Sequence, residues 1–208
     1  LKKIFNFKNC IIMGIYSNIM FILFIIICLF YYDIYGNSGI ASTPFEIIAF
    51  TVETLGFILM AISIFGIILI VRQRMIMKIL MAIYLVVEVV IMFADFGFLS
   101  PGNWYNGYSK VLIILHAIFS ATVCLSYMSL DYKKIPFQII VGIASCIMLA
   151  GMFCIIFNIR IYASVLTNSV AYLFLYVAMI IQLNLEILQV DCYGDKANVV
   201  EYKSSFFD

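Results

Sequence analysis

Residues 44–71 read PFEIIAFTVETLGFILMAISIFGIILIV, the basic turn RQR follows at 72–74, and a further apolar run begins at 76. The first run carries Glu46 and Glu53 but no basic group. A helix crosses the hydrocarbon core of a bilayer in about 20 residues, so this run is long enough to span. A membrane strand would show short segments of alternating polarity, and this run is continuous. The lipid core hydrates no backbone, so the run must satisfy its own hydrogen bonds as a helix. Pro44 suits a first helical turn, where its missing N–H is not needed. Two such helices joined by a basic turn form a membrane hairpin.

The pattern repeats in both directions. Apolar runs lie at about 10–32, 44–71, 76–99, 108–130, 135–157 and 161–187. The expected fold is therefore all-α: a polytopic membrane protein with six transmembrane helices, one domain over 1–208, and a short polar tail over 188–208. Composition agrees. The chain has 208 residues, 66% hydrophobic and 11% charged, where a soluble domain is about a quarter charged. So few charges cannot build a water-soluble surface. The expected location is the cell membrane, multi-pass, with the lipid bilayer as the main partner.

The first run follows Lys2, Lys3 and Lys8, as a signal peptide would. It is longer than a signal h-region and ends in Phe30, Tyr31, Tyr32 and Asp33 instead of small residues, so it reads as a retained helix. With both termini cytoplasmic, ten of the twelve basic residues fall inside and only Lys110 and Arg160 outside. That bias predicts an N-in, C-in orientation. Tyr31, Tyr32, Tyr35, Trp104, Tyr105, Tyr108 and Tyr162 then cluster near the outer ends, as interfacial aromatics do.

Several functions are excluded. The net charge is +1 and the basic residues are scattered over short loops, so no nucleic-acid partner is expected. The six cysteines form no CxxC pair, and a zinc site would need clustered ligands where there is one histidine. The cysteines read as small apolar packing residues, and no cofactor is implied. The tail has two readings: a solvated end, or a docking peptide for a membrane or cytoplasmic protein that uses Tyr202, Phe206 and Phe207.

A shift of 92 residues aligns Tyr16-Ser17 with Tyr108-Ser109, Pro44-Phe45 with Pro136-Phe137, and Tyr84 with Tyr176. It gives 15 identities over 16–84 against 108–176. Such a repeat has three helices per unit, and an odd number inverts the second copy. The pattern suggests a 3+3 inverted repeat, a plan found in transporters and channels. Proline as a plain helix-start signal is the simpler explanation of the match.

Polar groups inside the membrane are expensive and usually face the bundle interior. Glu53, Glu88, Asp95 and His116 stand out. Tyr84, Glu88 and Asp95 follow i, i+4, i+11 and share a helix face; Ser109, His116, Ser120 and Tyr127 form another stripe. The expected substrate- or ion-binding set is Glu53, Glu88 and His116, with Asp95, Tyr84 and Ser120 beside them, around a cavity that opens outward. The competing reading is that these groups only bond neighbouring helices and fix their packing. Carboxylates on separate helices with one histidine do not define a metal site. On the fifth run, Gly142, Cys146 and Ala150 form a small-residue stripe suited to close helix packing.

Three function classes fit these features. The first is a transporter, or a membrane-embedded substrate-binding subunit, for a cation or small polar solute. The alternative is a membrane sensor or accessory subunit that acts through helix packing and its C-terminal tail. An intramembrane enzyme has the least support. No GxSxG or HExxH motif occurs, and His116 and Cys124 are eight residues apart, about 12 Å along a helix. No catalytic residue is assigned.

Overall fold

The computed structural model describes residues 6–35, 43–72, 74–95, 107–130, 135–156 and 162–185, together with 188, 190 and 192. Six α-helices follow one another: α1 (Phe7–Tyr35), α2 (Thr43–Ile70), α3 (Met75–Asp95), α4 (Gly107–Ser126), α5 (Ile135–Ile156) and α6 (Tyr162–Asn184). Pro44 and Pro136 each occupy the second position of their helix, where proline breaks no intrahelical bond. The fourth run does not stay α-helical to residue 130. It tightens into a 3-10 turn over Tyr127–Leu130, a common way to finish a helix. Among the described residues there is no strand, only an isolated antiparallel bridge between Val71 and Cys192.

The helices form an up-down ring. Ser63 Oγ donates to the Cys10 carbonyl at 2.7 Å and Ser17 Oγ to the Gly56 carbonyl at 2.8 Å. These bonds set α1 antiparallel to α2. Cys124 Sγ lies 3.8 Å from the Val141 carbonyl and Ser120 Oγ lies 3.7 Å from Met148 Sδ, which sets α4 antiparallel to α5. Each helix packs on its sequence neighbour, and α6 closes the ring on α1 and also touches α4. Lys8 Nζ donates to Asn184 Oδ1 at 2.8 Å, so the start of α1 and the end of α6 share one end of the bundle.

That end is solidly packed. Phe7, Ile11, Ile67, Met77, Leu130, Phe137, Met179 and Leu188 are buried in one cluster there. Leu188 belongs to the polar tail expected from sequence, yet it is buried and its N–H donates to the Gln182 carbonyl at 3.2 Å. Together with the Cys192 bridge this folds the start of the tail back onto the closed end; Tyr202, Phe206 and Phe207 lie outside the described residues.

Polar groups are buried beside this apolar cluster, while the outer surface is apolar. Ser17, Asn18, Ser63, Glu88, Ser120, Ser145, Asn168 and Ser169 are buried. Large apolar side chains face out, with Ile76 at 76% and Phe30 at 62% exposure. Soluble monomers seldom expose contiguous apolar surface on this scale. Among the described residues, three helical stretches are long and apolar enough to cross a membrane: Phe7–Phe30, Ile47–Ile70 and Val165–Asn184. Shorter apolar stretches run over Ile114–Leu130 and Phe137–Gly151. The small-residue stripe on α5 does not face the ring: Cys146 and Ala150 are exposed, and the inward face is Val141, Ala144, Ser145 and Met148.

Candidate functional site

α3 sets the site through the residues it buries. Met77, Met81, Tyr84 and Glu88 lie on its inward face, while Ile76, Ile79, Ile83 and Val86 are exposed. This helix therefore turns a carboxylate inward and isoleucines outward, the reverse of an amphipathic helix in water. Opposite it, α4 buries Ala117, Ser120, Ala121 and Cys124, and His116 sits at the edge of that face. His116 Nδ1 hydrogen-bonds Glu88 Oε1 directly. Antiparallel packing of α3 on α4 brings the two to the same level although 28 residues separate them in sequence.

The pair lies on the wall of a central cavity of about 100 Å³. Side chains from α1, α2, α3, α4 and α6 line it. Tyr84, Tyr172 and Tyr176 form its base toward the packed end. The Tyr84 ring is 5.9 Å from His116 and 6.4 Å from Tyr172, and Tyr172 is 5.5 Å from Tyr176. Tyr172 donates to the Ser120 carbonyl at 2.9 Å, and the Tyr127 and Tyr176 hydroxyls are 3.2 Å apart. These bonds lock the base to α4. Gly14 makes room for it: a Cβ there would stand 2.5 Å from the Tyr176 ring and 3.0 Å from Ser63 Oγ.

The sequence-derived set distributes as follows. Glu53, Tyr84, Glu88 and His116 all line the cavity. Ser120 does not; it is buried behind the tyrosines, its hydroxyl against Met148 and its carbonyl under Tyr172. Asp95 is the last residue of α3, and its side chain lies outside the described residues, as do those of Glu46 and Ser109. Among the described residues no three His, Cys, Asp or Glu side chains gather as metal ligands. Among the described residues Cys10, Cys28, Cys124 and Cys146 are free thiols.

Sequence reasoning did not assign the other polar groups on the wall to the site: Ser17 and Asn18 from α1, and from α6 Ser169 and Asn168, the latter read as a helix cap or a bond across helices. Each pair is a polar dipeptide inside an otherwise apolar run, and that was the available signal. Asn18 Nδ2 donates to the Gly14 carbonyl at 2.7 Å. Asn168 is different. It is 3% exposed, and neither its Oδ1 nor its Nδ2 has a hydrogen-bond partner in the protein. A buried amide normally finds partners; here both polar atoms are also closed to water, so they stand beside the cavity as unmet groups. A cavity of this size holds several waters or a small solute.

Comparison of the chain with known families, curated proteins and solved structures finds no match.

Proposed function

We propose that the protein is a multi-pass membrane protein that binds a small cation or polar solute in its central cavity, as a transporter or as the substrate-binding subunit of one. The observation that carries this reading is the buried Glu88–His116 pair on the wall of a cavity that Glu53, Ser17, Asn18 and Ser169 also line. Groups that only fixed helix packing would not need to gather around a cavity inside an apolar bundle. Membrane residence is supported by the apolar exterior and by helix lengths. α3, α4 and α5 have 21, 20 and 22 residues, enough to span alongside the three longer apolar helices. On this reading all 208 residues belong to one six-helix domain, with N-in, C-in orientation. Lys8, Arg72 and Lys78 mark the packed end as cytoplasmic, and the cavity opens to the outside.

The 3+3 inverted repeat belongs to the same proposal. At the offset of 92 residues Tyr84 matches Tyr176 and Phe24 matches His116, and all four line the cavity. The second reading is a sensor or accessory subunit. It draws on one observation, the docking of Leu188 and Cys192 against the packed end, which ties the tail to the ends of α2 and α6. A ligand screen separates the two. The purified chain in lipid nanodiscs is heated with small cations and polar solutes, and the Glu88→Gln variant is run in parallel. Solute-specific stabilisation that disappears in the variant supports the binding site; stabilisation by none of them favours the second reading.

A further inference from the structure

We infer that the chain just after α6 is a lid: Leu188, Val190 and Cys192 cover the packed end, and their lifting, with the helices intact, opens the cavity to that side. This rests on reading the cavity as a solute site, which a transported solute leaves by its second end. The sequence carries the pattern of such a lid. After α6 it reads Leu188-Gln189-Val190-Asp191-Cys192, with apolar and polar residues in strict alternation. A period of two suits an extended chain with one face inward and does not suit a further turn of helix. The structure seats the apolar set on the core. Leu188 is buried, and Val190 and Cys192 pack against the same cluster. The Leu188 N–H donates to the Gln182 carbonyl at 3.2 Å, and an antiparallel bridge joins Cys192 to Val71, just past α2. In the ring α1 lies between α2 and α6 and packs on both. A chain anchored to the ends of α6 and α2 therefore crosses the end of α1.

The core under the lid leads to the cavity. The inward face of α6 runs Tyr172, Tyr176 and Met179 from the cavity floor toward the packed end, and Leu188 belongs with them to one buried cluster. Two opposed terms act on the lid. Burial of the Leu188 side chain favours the closed position. Gln182 favours the open one. It is buried at the turn that Leu188 bonds, its Oε1 finds no hydrogen-bond partner in the protein, and lifting the lid hydrates it. Lifting also breaks backbone bonds at an aqueous interface, where water replaces them, whereas opening a helix strands its bonds in lipid. The lid is thus the part of this end that opens first.

The test uses the full chain and needs no ligand. Hydrogen exchange in nanodiscs should show the Leu188 amide exchanging at least about tenfold faster than the amide of Met179, and Gln182→Leu, which removes the unmet acceptor, should slow Leu188 by about tenfold while leaving Met179 unchanged. Equal exchange of Leu188 and Met179 would mean that the two open together, and the lid falls. A second arm reads the opening itself. Val71→Cys faces Cys192 across the bridge, where the spacing of paired strands suits a disulfide. A Glu53→Cys reporter is added in a chain whose only other cysteines are these two. With the lid pair oxidised or reduced beforehand, methanethiosulfonate ethylammonium is supplied from the packed end in vesicles of known orientation. Modification of Glu53→Cys should be at least about tenfold slower with the disulfide closed. The same rate in both states overturns the inference. Both states occur in one folded chain, so no variant is needed to force the lid open. The solute-site reading is judged separately by the Glu88-dependent thermal shift: a lid that opens without any such shift removes that reading, and a shift without a separate lid opening removes only the lid.

Discussion

Replacing Asn168 with leucine tests the unmet amide through stability. The amide is buried with two unpaired polar atoms. Leaving a buried donor or acceptor unmet costs about 1–3 kcal/mol. Polar contacts in membrane bundles average only about 0.6 kcal/mol, so the upper part of that range does not apply. The net gain from removing the amide is therefore about 1–2 kcal/mol. For a chain of this length each kcal/mol corresponds to about 2–4 °C in the melting midpoint, so Asn168→Leu should melt about 2–6 °C higher in detergent or nanodiscs. Ser63→Ala is the contrasting control. Its hydroxyl donates to the Cys10 carbonyl at 2.7 Å, so removal should lower stability by about 0.5–1.5 kcal/mol. If Asn168→Leu melts lower by a similar margin, the amide has a structural partner and the argument from its isolation fails.

Other perturbations probe the remaining links. His116→Leu strands the buried Glu88 carboxylate and should destabilise by about 3–5 kcal/mol; the Glu88→Leu/His116→Leu double variant should recover most of that in a thermal melt while remaining unable to bind. Gly14→Ala should cost about 1–3 kcal/mol by overpacking against the Tyr176 ring, read as a lower melting midpoint; a neutral result would mean that the base of the cavity yields easily.

The helices were legible because each apolar run is long and bounded by turn residues or charges. The interior stripe of α3 was legible because a glutamate in an apolar run has few places to go, and Tyr84 and Glu88 at i, i+4 had to share its face. Glu53 stood out as a carboxylate inside an apolar run, and it lines the cavity. Ser120 lies off the cavity lining because its stripe on α4 is shared between the cavity wall and the contact with α5, and periodicity does not say where one ends. Asn168 reads from sequence as a cap or a bond across helices, and the structure shows neither bond. Sequence lists what a residue can bond to, and only packing shows what it fails to reach. The stripe of Gly142, Cys146 and Ala150 misled for the same reason: small size permits close packing on either face of a helix.

The central claim is a water-filled, cation-attracting cavity inside the membrane, open on the outer side and sealed at the packed end. Glu53→Cys in an otherwise cysteine-free chain tests it directly. The chain is reconstituted in vesicles of known orientation, with a thiol scavenger trapped in the compartment facing the packed end. Methanethiosulfonate ethylammonium, a small cationic thiol reagent, is then added from the side of the open end. The account predicts rapid modification, faster than modification by a neutral reagent of the same size. Absence of modification from that side, or modification only when the reagent is supplied at the packed end, would contradict it.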